Sequence, residues 1–101
     1  MAEDRGEEVW RRSPDLGVVE SPGRVVVLDL SRPRTARPFV MQGSAEAVWR
    51  ALSRPRSTQQ VVTYVADDFG IPATEVEADV VSFLLQLQAR GLVRTGFRRS
   101  P

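Results

Sequence analysis

The sequence predicts an α+β domain in which a three-stranded antiparallel sheet is followed by three helices. Two observations carry this. Up to Gln42 the apolar residues come in short β-branched runs separated by turn signals bearing Pro and Gly. After Gly43 they recur every three or four residues between cap residues, as one face of a helix requires. A length of 101 residues suits one domain and is short for two.

Taken in order, residues 1–8 are acidic and polar and read as a disordered tail. Val9-Trp-Arg-Arg12 reads as a segment that is extended or leans on the sheet. Val18-Val19-Glu20 is a first short strand. Ser21-Pro22-Gly23 turns the chain, because Pro presets φ and Gly tolerates positive φ. Arg24-Val-Val-Val-Leu-Asp-Leu30 is the clearest strand and completes a hairpin. Ser31–Ala36 is the next turn. Pro38-Phe-Val-Met-Gln42 is a third strand, with Pro38 at the first position of an edge strand, where no ladder donor is needed.

Ser44 is placed to cap a first helix over Ala45–Ser53, with Val48, Trp49 and Leu52 on its core face. Arg54-Pro55-Arg56 ends it. Ser57 or Thr58 caps a second helix whose Val61, Val62, Val65 and Phe69 share a face, and Gly70-Ile71-Pro72 stops it. Thr74-Glu-Val-Glu77 has the form of a capping box, and Glu75, Glu77 and Asp79 suit the positive end of a helix dipole. That third helix runs to about Arg90, with Gly91 as its cap. Residues 94–101 read as a flexible C-terminal tail, leaving a domain over residues 9–93.

Composition closes several function classes. The chain has no Cys and no His, so disulfides, thiolate metal sites, a cysteine nucleophile and the commonest general base are all missing. No Gly-rich phosphate cradle and no metal spacing is present, so the reading is of a chain that is not an enzyme and takes no cofactor and no metal. No apolar run reaches the roughly 18 to 20 residues that span a bilayer, so no membrane partner is expected. The N-terminus is not a secretory signal, and the default compartment is the cytoplasm. Net charge is +1, which gives no global attraction to nucleic acid. The charge is segregated all the same. Six arginines lie between Arg32 and Arg56 against Glu46 alone, and five acids with no base lie between Asp67 and Asp79.

The third helix carries two apolar stripes. Val76, Val80, Phe83, Leu84 and Leu87 form one, assigned with Trp49 to core packing. Ala78, Val81 and Leu85, with Gln88 at the margin, form a second beside it. A surface helix in a small domain needs one stripe. The second is a widened core face, a homodimer seam, or the wall of a groove that takes an apolar partner.

The ordered set of these residues resembles the PqqD-like family, the recognition elements of ribosomally made and post-translationally modified peptides. Val9-Trp-Arg-Arg-Ser-Pro-Asp15 resembles its basic-Pro-Asp opening, and Arg24–Asp29 its second strand. Met41-Gln42, Val48-Trp49 and Leu52 fall at the spacing of its Leu-Asn, Ile-Trp and Leu positions. Thr58–Val65 and Phe69 match its second helix. Asp79-Val80, Phe83-Leu84, Leu87 and Gly91-Leu92-Val93 match its closing signature. The chain departs from the family at Arg34–Phe39, where members often carry a Gly-x-Tyr/Phe hairpin, and has Met41-Gln42 in place of Leu-Asn.

The resemblance implies a winged-helix-like fold and a non-catalytic role. Members bind the leader segment of a precursor peptide as an added strand on the third strand, in a cleft against the third helix. The residues this would use are Arg37, Phe39, Val40, Met41 and Gln42 on the strand and Ala78, Val81, Leu85 and Gln88 on the helix. The Val9–Asp15 opening and the Arg-rich hairpin are most like the stand-alone proteins of lasso-peptide biosynthesis. Such proteins deliver the leader to a separate cysteine-type leader peptidase and to an ATP-dependent cyclase. A PqqD-like chaperone of another peptide-modification pathway is the alternative within the family. Outside it stand a winged-helix DNA-binding protein, which the acidic start of the third helix opposes, and a plain dimerisation module built on Val81 and Leu85.

Overall fold

The computed structural model describes residues 7–32, 34 and 37–98. The element order is β1 (Glu7–Arg12), β2 (Leu16–Ser21), β3 (Arg24–Asp29), β4 (Phe39–Met41), α1 (Ser44–Ala51), α2 (Thr58–Phe69), α3 (Ala73–Ala89) and β5 (Val93–Arg98). β2, β3 and β4 form the expected three-stranded antiparallel sheet in that spatial order, and the three helices follow. The arrangement is α+β and winged-helix-like.

The β2–β3 hairpin turns through Pro22 and Gly23, with Ser21 opposite Arg24 and Gly23 at φ 77°. Met41 then pairs with Val25, Val40 with Val26 and Phe39 with Val27. Period-two alternation sends Val25, Val27 and Met41 into the core, where all three are fully buried. The helices meet them with Val48, Trp49 and Leu52 of the α1 turn, Val61, Val62 and Val65 of α2, and Val76, Val80, Leu84 and Leu87 of α3.

Residues 94–98, expected as part of a tail, instead pair with β1. The register puts Trp10 opposite Thr95 and Arg12 opposite Val93, so β1 and β5 make a separate two-stranded ribbon. The partners are more than 80 residues apart in sequence, a separation that local patterning does not reveal. Glu7 and Glu8 likewise belong to a strand, while residues 1–6 and 99–101 lie outside the described residues. The ribbon is tied to the helices. Trp10 exchanges both backbone bonds with Arg56, at 2.7 and 3.1 Å, and its indole N–H donates to Thr58 Oγ1 at 2.9 Å. Ser13 donates from its N–H to the Leu92 carbonyl and from its hydroxyl to the Gly91 carbonyl.

The helix starts differ from expectation at two of three places. Ser57 caps α2 with a reciprocal box: its hydroxyl accepts the Gln60 N–H at 3.1 Å and the Gln60 side chain accepts the Ser57 N–H at 2.9 Å. α1, however, begins at Ser44 itself, with Gly43 in the cap position at φ 63°. α3 begins at Ala73 behind Pro72, one residue ahead of Thr74, so the Thr74–Glu77 box does not form. Pro72 supplies the extended entry, and its carbonyl accepts the Glu75 N–H at 3.0 Å. At the other end Gly91 has φ 75°, the Leu92 N–H donates to the Leu87 carbonyl and the Gly91 N–H to the Gln88 carbonyl. This is a Schellman closure, and Leu87 and Leu92 are both buried in the core.

Candidate functional site

β4 is the last strand of its sheet, and among the described residues its outer edge has no strand partner. Such an edge presents every second N–H and C=O to whatever extended segment comes beside it. β4 is short because Pro38 precedes it and Gly43 turns the chain out of it into α1. Its three residues divide by face. Met41 is fully buried, so its side chain belongs to the core and its backbone alone is available at the edge. Val40 lies on the opposite face and is 49% exposed. Phe39 is half-buried, and Gln42 and Arg37 are exposed.

The wall beside this edge is built by α3 through residues that the sequence pattern assigns elsewhere. The Phe39 and Phe83 rings pack with centroids 6.0 Å apart at a 54° tilt. The Arg90 guanidinium stacks 4.5 Å from the centre of the Phe39 ring. Phe83, expected as core, is half-buried at the boundary between core and cleft. Arg90 has no sequence signature that separates it from an ordinary last-turn arginine.

The expected helix wall lies elsewhere. At about 100° per residue, Arg90 is about 20° from Phe83 around α3, Val81 and Leu85 about 160°, and Ala78 and Gln88 about 140°. Phe83 and Arg90 face β4. Ala78, Val81, Leu85 and Gln88 therefore face away from it, all four exposed. Three of them, Ala78, Val81 and Leu85, line one feature, an open trough of about 640 Å³ shared with Thr74, Glu77 and Ser82. Sequence periodicity places the stripes relative to each other. It does not say on which side of the helix the sheet edge arrives.

At the N-terminal end of β4 a concavity of about 300 Å³ is lined by Asp29, Arg32, Arg37, Phe39, Ala89, Arg90 and Leu92. It joins the end of β3, the approach to β4 and the closing turn of α3. Asp29 is engaged by its own turn: Oδ1 accepts the Ser31 hydroxyl at 2.6 Å and the Ser31 N–H at 2.9 Å. These bonds, with help from nearby Arg32, lower the Asp29 pKa below its ordinary value and keep it a carboxylate. Three arginines and one acid thus line the concavity.

Among the described residues no group of three or more His, Cys, Asp or Glu side chains is placed to hold a metal ion. No helix among them is long and apolar enough to cross a membrane.

The profile of the family described as "Coenzyme PQQ synthesis protein D (PqqD)" matches residues 24–93, more than half of the chain. The match runs from β3 through the closing turn of α3 and takes in β4. Among solved structures, "TbiB1 in Complex with the TbiA(beta) Leader Peptide" superposes with a TM-score of 0.71, covering 87% of this chain and 98% of that one. The two are 20% identical, so the likeness is one of fold. No curated protein matches the chain.

Proposed function

The chain belongs to the PqqD family, and from that premise we propose that it binds the leader segment of a ribosomally made precursor peptide by strand addition to β4. The observation that carries this reading is the outer edge of β4, without a strand partner among the described residues, lying beside the Phe83–Arg90 face of α3. A strand added there gains backbone hydrogen bonds from Phe39–Met41. On one face of the sheet its side chains meet Phe39, Phe83 and Arg90, and on the other they meet Val40. Arg37 and Gln42 flank the two ends of the edge. The TbiB1 fold was solved with a leader peptide bound, which is consistent with this use of the architecture.

The reading extends to delivery. In lasso-peptide biosynthesis, the pathway that the Val9–Asp15 opening and the Arg-rich hairpin most resemble, the bound leader passes to a separate cysteine-type peptidase and an ATP-dependent cyclase. A strand seated on β4 leaves Ala78, Val81, Leu85 and Gln88 uncovered on the far side of α3, so a second protein has a surface to meet without displacing the leader. The chain itself supplies no catalytic group to these steps.

Strand addition has a signature that groove binding lacks. The test uses a labelled synthetic leader segment of a candidate precursor peptide, N-methylated at one backbone position at a time and titrated by fluorescence anisotropy. Alternate N-methyl groups are expected to weaken binding at least about tenfold, because every second N–H faces β4. Uniform tolerance along the segment contradicts the proposal.

A further inference from the structure

Resting on the leader-binding reading, we propose that the concavity at the N-terminal end of β4 is a carboxylate pocket that reads one acidic side chain of the bound leader. Arg32 and Arg37 from the β3–β4 connection and Arg90 from the end of α3 all line it. None of the three lies within ion-pair distance of a carboxylate among the described residues. The contrast with Arg50 is informative. That arginine is held by Glu46 at 2.6 Å and Glu20 at 2.8 Å. The single acid of the concavity, Asp29, is turned to Ser31. Three like charges around one hollow repel each other, and an incoming carboxylate relieves that repulsion while accepting charge-assisted hydrogen bonds.

The geometry favours a planar acceptor. The Arg90 guanidinium carbon lies over the Phe39 ring, 4.5 Å from its centre, which restrains the group, and a guanidinium presents a planar fork of N–H donors that matches a carboxylate. Phe39, Leu92 and Ala89 supply an apolar floor that limits hydration of the pair. Phe39 is also the first residue of β4, so a side chain from the added strand reaches the hollow without leaving the sheet edge. The pocket would set the register of the leader: backbone bonds alone tolerate sliding, and one anchored carboxylate does not.

The experiment is a double-mutant cycle on the full-length protein, with the same leader carrying an amidated C-terminus so that no terminal carboxylate competes. Each Glu and Asp of the leader is replaced singly by Gln or Asn, and Kd is measured against the parent and against Arg37→Gln and Arg90→Gln. One leader acid is expected to cost at least about tenfold with the parent and less than about twofold with either arginine variant. Retained thermal unfolding midpoints separate lost contact from lost fold. If the leader binds but no single acid matters, or the losses add independently of Arg37 and Arg90, the carboxylate pocket is overturned and leader binding stands. If the parent does not bind the leader, both fall. Displacement of the leader by random duplex DNA, with Arg37→Gln and Arg90→Gln weakening DNA and leader alike, would assign the hollow to phosphate instead.

Discussion

Trp49 is fully buried, and Arg12 covers it from β1. The Arg12 guanidinium sits 4.4 Å from the indole centre, and its Nη2 donates to the Trp49 carbonyl at 2.6 Å. Burial lowers the Arg12 pKa and Glu20 acts in the opposite direction, yet an arginine stays charged at neutral pH. Trp49→Ala should therefore open a cavity and strip Arg12 of its stacking surface, costing about 3–5 kcal/mol by denaturant unfolding. Asp29 gives a pH prediction of the usual carboxylate sign. Its folded pKa lies below the ordinary 3.8 because Ser31 donates to the charged form. The stabilisation of this turn is then fully present above about pH 5 and lost as pH falls through the folded pKa. Ser31→Ala should move the Asp29 pKa part of the way back up in a side-chain NMR titration, since the backbone bond survives. No movement would show that Ser31 does not hold the carboxylate.

At the scale of elements, what the sequence discloses is what local physics controls. Val61, Val62 and Val65, then Val76, Val80, Leu84 and Leu87, mark α2 and α3 because a helix repeats every 3.6 residues whatever packs on it. Gly70 and Gly91 mark their ends because the backbone there needs positive φ. Gly91→Ala should cost about 1 kcal/mol, and Ser57→Ala about the same through its lost cap bond, both read from thermal unfolding. The β1–β5 ribbon was not legible, since Trp10 and Thr95 find each other through the whole fold. The start of α3 went astray because the Thr74–Glu77 spacing fits a capping box, while Pro72, already extended, begins the helix one residue sooner. The site was half legible. β4 shows as an edge strand from Pro38 and its short apolar run. The α3 side chains opposite it do not show, because Phe83 sits at the margin of the core stripe and periodicity alone cannot say which margin the sheet approaches.

For the whole molecule, α3 separates two surfaces. One joins β4, Phe83 and the arginine-lined hollow. The other is the trough of Ala78, Val81 and Leu85, edged by Glu77. Leu85→Glu should leave both stability and leader affinity within about twofold of the parent, because the residue is exposed and faces away from β4. Leader affinity should fall severalfold with added salt, because the pocket arginines are open to solvent. The most direct measurement is an amide chemical-shift titration of the nitrogen-15-labelled protein with its leader. Seating on β4 predicts the largest shifts at Phe39–Gln42, Phe83 and Arg90, with Ala78, Val81 and Leu85 near their free positions. Shifts centred on Ala78, Val81 and Leu85, with β4 unmoved, would contradict it.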